Sequence, residues 1–276
     1  MISTLRNLAF AFQLPGRNEF WISFFCKSLY GFLILKVLMS WSTLVDIATY
    51  LPHQFSSWHT YILYAPLLLL QINIKAYLIC FLSLLIISIL VQSNNISAIL
   101  IFWFSVSLSR FMFPILNGSD LVLNLFLLIA LFLPARPLLK PWGVVTQETI
   151  SSIALLFARI TLCLIYFLSG YDKLVSSAWR SGAAIHSIIN LEHFFNPSFI
   201  FSGSKTLFML IGWSVIIFEI SFSLLIWFKK SRVLFLLTGV LFHLGIILLL
   251  GLPDFGLVMI ICYLVFMPLK NASKGQ

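Results

Sequence analysis

Charge is scarce in this chain. Charged residues make up 9% of its 276 positions, with eight Asp and Glu against seventeen Lys and Arg. The resulting net charge of +9 could suggest a nucleic-acid partner. The cations, however, are scattered between apolar runs and form no stripe, which excludes that reading. Cysteine is sparse too. Cys26, Cys80, Cys163 and Cys262 each lie inside an apolar run. They therefore read as buried small hydrophobes, not as a disulfide framework or a zinc site. Residues 1–19 lack an apolar core closed by small residues, so no cleavable signal peptide is expected. No segment between apolar runs is long enough for a soluble domain, the longest being Gly170–Lys205, and there is no convincing internal repeat.

Apolar side chains are what the chain has in excess. Hydrophobic residues reach 61%, with 28 Phe, and the mean hydropathy is +1.06. One soluble core could not hide that much apolar surface, whereas a bilayer solvates it from outside. The expected fold is an all-α integral membrane protein. A helix needs roughly 20 apolar residues to cross the hydrocarbon. Eight candidate spans follow: Phe20–Leu44, Ala76–Gln92, Ile96–Leu116, Leu121–Leu133, Ile150–Ser169, Thr206–Phe228, Val233–Leu250 and Phe255–Leu269. Tyr61–Leu70, about half a span and interrupted by Pro66, reads as a re-entrant or interfacial segment. This divides the chain into a cytoplasmic amphipathic segment (1–19), a single transmembrane domain (20–269) and a cytoplasmic tail (270–276).

Orientation follows from the cations. With both termini in the cytoplasm, Arg6, Arg17, Arg136, Lys140, Lys229, Lys230, Arg232, Lys270 and Lys274 lie inside. Only Lys75, Lys173, Arg180 and Lys205 remain in outer loops, as the positive-inside rule expects. A cell-membrane location is expected. The segments Asp46–His59, Asn117-Gly118-Ser119-Asp120, Lys173–His193 and Pro253–Phe255 then share the outer side.

Five ionisable residues, Lys36, Arg110, Arg159, Glu219 and His243, fall within apolar runs. Such groups are costly in lipid and turn inward to find partners. Arg159 is the expected partner of Glu219, and His243 reads as a hydrogen-bonded core histidine. At 100° per residue Arg159, Tyr166, Gly170 and Lys173 line one face of the fifth span. Lys173 at its outer end reads either as a snorkelling cation in an aromatic belt of Tyr166, Tyr171 and Trp179, or as a partly desolvated general base. Gly182–Phe195 reads as an interfacial amphipathic helix, with Ile185, Ile188 and Ile189 on one side and His186, Asn190 and His193 on another. No carboxylate or cysteine is placed to complete a metal shell with those histidines, so no metal is expected.

The run Tyr166-Phe167-Leu168-Ser169-Gly170-Tyr171-Asp172-Lys173-Leu174, followed by Trp179 and Gly182, resembles the signature of the horizontally transferred transmembrane (HTTM) domain. That domain is shared with the membrane part of vitamin K-dependent gamma-carboxylase. Asn117-Gly118-Ser119-Asp120, before an apolar run ending in Pro134, resembles the family's N/D-G-G-D element. His243, Gly251–Phe255 and Met259–Phe266 resemble its closing helices. Chain length and the Asn117 element are similar to the small SdpB-like members, associated with secreted antimicrobial peptides. The resemblance implies an accessory role in maturation, export or resistance for a secreted peptide, with a peptide precursor and an accessory protein as partners beside the lipid bilayer. It implies as an alternative a quinol-dependent enzyme, in which an isoprenoid quinone or quinol is the cofactor and Lys173 the base. A small-molecule transporter is a third reading. The candidate catalytic residues are Lys173, His186 and Asp120; Arg159, Glu219 and His243 are the candidate structural polar residues of the membrane interior.

Overall fold

The computed structural model describes residues 19–50, 58–69, 73–91, 94–111, 117–133, 147–191 and 203–267. Among these residues the secondary structure is entirely helical, as an apolar chain that must satisfy its own backbone requires. The elements are α1 (Glu19–Met39), α2 (Trp41–Tyr50), α3 (Trp58–Leu69), α4 (Ile74–Val91), α5 (Asn95–Phe111), α6 (Gly118–Ala130), α7 (Gln147–Val175), α8 (Ser177–Arg180), α9 (Ala183–Asn190), α10 (Lys205–Leu225), α11 (Lys229–Leu250) and α12 (Pro253–Cys262). A 3-10 turn, Tyr263–Phe266, continues α12. Five helices are long and apolar enough to cross a membrane: α1, α4, α7, α10 and α11. The shorter apolar helices α5, α6 and α12 with its 3-10 turn account for the other three expected spans. The chain is therefore an all-α membrane protein.

Several boundaries differ from the sequence reading. The first expected span breaks at Ser40 into α1 and α2. The fifth extends past Ser169 to Val175 and takes Lys173 into its last turn. Its 29 residues make a rod about 44 Å long, longer than the hydrocarbon is thick. The described part of the expected Tyr61–Leu70 segment falls in α3, which at about 18 Å is too short to cross a bilayer. Cys80 is exposed and not buried, because it lies on the outward face of α4, among Ile79, Ile86 and Ile87. The expected amphipathic segment 1–18 and the tail 268–276 lie outside the described residues.

The helices fall into two compact units, Met1–Leu156 with Met267–Gln276, and Phe157–Phe266. In the first, α1 packs on α4 and α6, and α3 packs on α5. Phe25, Leu29, Tyr30, Phe81 and Phe126 are fully buried there. Polar groups on the spans are matched locally: Asn124 bridges Ser105 (2.7 Å) and Ser109 (2.8 Å), and Trp103 Nε1 donates to the Ile62 carbonyl (2.8 Å). In the second unit, α12 packs along α11, α8 and α9 lie on α10, and Tyr166, Phe218, Phe222, Tyr263 and Phe266 form an aromatic core. The opposite side of α11 carries exposed Leu234, Leu237, Leu241 and Leu248, as a lipid-facing helix should.

The orientation is open to a direct test. Ser177 is exposed at the start of α8, and Ser231 lies in the first turn of α11. With the four natural cysteines replaced, a membrane-impermeant thiol reagent added from outside is expected to modify Ser177→Cys and to spare Ser231→Cys. External labelling at position 231 would reverse the orientation. Ser119, which the sequence places in an outer loop, is fully buried and unsuited as a probe.

Candidate functional site

The site lies in the second unit, and one glycine makes it possible. A Cβ added to Gly170 on α7 would lie 2.9 Å from Ile220 Cγ1 and 3.0 Å from Glu219 Cβ on α10. The missing side chain lets the two helices touch. One turn further along α7, Lys173 then meets the carboxylate of Glu219. Lys173 Nζ donates to Glu219 Oε2 at 2.8 Å and to Oε1 at 3.0 Å, and also to the Ser169 hydroxyl. Ser169 in turn donates to Glu219 Oε1 at 3.2 Å. The Trp179 ring covers the ammonium, its centroid 5.0 Å from Nζ, in cation–π geometry. The side chains are 17% and 7% exposed for Lys173 and Glu219, so the pair is desolvated enough for its partner choice to matter.

Trp179 is held over the lysine by the short elements after α7. Gly182 adopts φ +82°, a left-handed conformation open to glycine. A side chain there would also strike the Met209 backbone nitrogen. The turn folds α8 and α9 back onto α10 and brings Ile185, Ile188 and Ile189 over the ion pair.

These elements, with α7, α10, α11 and α12, line a partly open cavity of about 440 Å³. Its wall is largely aliphatic and aromatic. The polar groups in it come from Tyr166, Ser169, Lys173, Ser214, Glu219 and His243. His243 on α11 meets the Tyr166 hydroxyl through Nε2 at 2.5 Å, and Tyr166 also bonds to the Tyr263 hydroxyl. His243 is thus a hydrogen-bonded core histidine on one side of its ring. Its other nitrogen, Nδ1, is buried without a hydrogen-bond partner among the described residues. A stranded polar atom of this kind costs about 1–3 kcal/mol.

The expected site residues are not all brought together. Lys173, Glu219 and His243 share the cavity. The expected Arg159–Glu219 pair does not form. Arg159 lies near the other end of the unit, donates from Nε to the Val265 carbonyl at 2.7 Å and packs its guanidinium 5.5 Å from the Phe266 ring centroid. Nearly four turns of α7 separate Arg159 from the lysine that takes the carboxylate. His186 is exposed, edge-on to Phe208, while the isoleucines of the same helix line the cavity. His193 lies outside the described residues. Asp120 belongs to the first unit. Its carboxylate accepts from Lys36 Nζ at 2.6 Å and from the Asn117 N–H at 3.2 Å, completing a capping box at the start of α6. Sequence reasoning missed Ser169, Trp179 and Tyr263 as site residues. Ser169 was within reach of it, standing one turn before Lys173 on the same helix face.

A family model described as the HTTM domain matches residues 125–270, just over half of the chain. The matched region contains the whole second unit and leaves out Lys36 and the Asn117–Asp120 element. No curated protein and no solved structure matches the chain.

Proposed function

Since the chain belongs to the HTTM-domain family, we propose that its second unit binds an amphiphilic small molecule of the isoprenoid-quinol class and takes a proton from it. One observation carries this reading: the Lys173–Glu219 pair stands in the wall of an otherwise apolar cavity. An apolar wall with a few polar groups is the ordinary make-up of a small-molecule site. A purely structural ion pair would need no cavity beside it.

The proton step balances without a further reactant. The ligand O–H bond breaks, and its proton ends on the pair. It passes to the Lys173 amine once Lys173 has handed its own proton to Glu219. The pair goes from neutral to singly positive as the ligand oxygen becomes an anion. That anion stays beside the ammonium, where the low-dielectric wall strengthens the attraction. Trp179 and the α9 isoleucines keep water from competing. The SdpB-like resemblance adds a cellular setting as part of the proposal, in which this chemistry on the outer side serves a secreted peptide made with an accessory protein. A small secreted precursor encoded beside this chain would support that setting.

Lys173→Arg tests the chemistry. Arginine keeps the charge but cannot release its proton at physiological pH. The expected result is a quinone-class lipid retained by both proteins after gentle extraction, as read by lipid mass spectrometry. Ligand deprotonation, followed by phenolate absorbance, is expected to slow about 100-fold or more in the variant. Absence of any quinone-class ligand from the wild-type protein, with none bound on addition, would sink the reading. Undiminished deprotonation by a folded Lys173→Arg protein would remove Lys173 from the proton path.

A further inference from the structure

The failure of Arg159 to meet Glu219 leaves an unanswered charge. Arg159 is 9% exposed and has no carboxylate partner among the described residues. Its Nε is committed to the Val265 carbonyl, and Nη1 and Nη2 make no hydrogen bond, although neither is sealed from accessible space. A guanidinium inside a membrane protein is stable when something anionic or strongly polar takes those donors. More cations gather at the same end of the unit. Arg159 packs on Phe266, the Phe266 ring meets that of Trp227 with centroids 5.6 Å apart, and Arg232 bonds to the Trp227 carbonyl. Arg232 holds the end of α10 by donating to the Ile226 and Trp227 carbonyls at 3.2 and 3.1 Å. Lys229 and Lys230 stand exposed in the first turn of α11.

None of the described acids of this unit answers them. The described acidic residues of this unit are Asp172, Glu219 and Asp254. Glu219 is taken by Lys173, Asp172 lies beside that lysine, and Asp254 is at the start of α12, whereas Arg159 touches the residues that follow its end. Four like charges at the level of three helix ends, where α10 stops, α11 begins and α12 runs out, leave a local positive excess that suits an outside anion.

We infer that Arg159, with Arg232 and the Lys229-Lys230 pair, forms a binding site for a phosphate oxyanion, about 21 Å along α7 from Lys173. The guanidinium fork suits two phosphate oxygens, and arginine is the side chain that takes phosphate in this two-pronged way. Helix ends rich in Lys and Arg lie where lipid phosphates are, and basic pockets between transmembrane helices hold anionic headgroups. Phosphatidylglycerol and free inorganic phosphate offer the same chemistry. The Phe266 ring against the guanidinium supplies the apolar floor beneath the anion.

The test uses the full chain in nanodiscs and stands independently of the cavity chemistry. Thermal unfolding is compared in phosphatidylcholine, in phosphatidylglycerol, and in phosphatidylcholine with millimolar inorganic phosphate. The wild-type protein is expected to unfold about 5 °C higher in phosphatidylglycerol than in phosphatidylcholine. Arg159→Gln should abolish that difference and Arg159→Lys should keep part of it. A matching rise with phosphate alone assigns the site to a free anion; a rise confined to phosphatidylglycerol assigns it to a lipid headgroup. The same unfolding temperature for the wild type in all three media overturns the site, as does a full phosphatidylglycerol effect in Arg159→Gln. Should Arg159→Gln not fold, native mass spectrometry of the wild type from equal amounts of the two lipids decides, and equal retention of both overturns it.

Discussion

Replacing Glu219 with alanine is expected to cost about 3–5 kcal/mol of stability, because it strands the Lys173 ammonium in an apolar wall. The carboxylate is the main counter-charge for that ammonium, and Ser169 and the Trp179 face cannot replace it. Lys173→Ala should be damaging for the mirror reason: Glu219 would keep one hydroxyl donor for a buried negative charge. The double variant should lose clearly less than the two single losses added together, since it removes both charges at once. Reversible unfolding in mixed micelles measures all three. Arg159→Ala combined with Glu219→Ala serves as the control and should be additive, because those two residues share no partner. Additive losses for Lys173 and Glu219 would mean that the pair is not energetically coupled.

Asp120→Ala is expected to be comparably severe, and for two reasons at once. It breaks the ion pair with Lys36, whose two side chains are each 7% exposed, at a cost of about 3–5 kcal/mol. It also opens the capping box at the start of α6, which adds about 1 kcal/mol. Asp120→Asn should fall between alanine and wild type, because the amide oxygen can still accept from the Asn117 N–H while the Asp120 charge is lost. A loss for Asp120→Ala no larger than that of an exposed substitution, in the same unfolding measurement, would show that Lys36 finds compensation elsewhere. The arrangement gives Asp120 a structural task.

The sequence made the helices legible and left the pairings hidden. Apolar runs mark a helix because the bilayer demands an internally bonded backbone, so every expected span corresponds to an apolar helix. The Tyr166–Gly170–Lys173 face was legible for the same reason, since 3.6-residue periodicity fixes which side chains share a face. Partners across helices carry no such signal. Lys173 and Glu219 are 46 residues apart, and Lys36 and Asp120 are 84 apart. Which pairs meet depends on where two helices can come close, and that is decided by a hydrogen atom in place of a side chain at Gly170. Arg159 was assigned to Glu219 because adjacent spans were expected to pair. Its height along α7 puts it beside the end of α12 instead, and height is a three-dimensional quantity that spacing within one helix does not supply.

The hydroxyls of Tyr166 and Tyr263 and the imidazole of His243 form a row that can be polarised in either direction. In one sense Tyr263 donates to Tyr166, Tyr166 donates to Nε2, and Nδ1 carries the hydrogen. In the other, Nε2 donates to Tyr166, Tyr166 donates to Tyr263, and Nδ1 offers a lone pair. Two hydroxyl rotations and a tautomer change interconvert them while every heavy atom stays in place. Nδ1 therefore switches between carrying a hydrogen and offering a lone pair, so the charge-neutral row can reverse its dipole inside the helix bundle without any movement of its backbone.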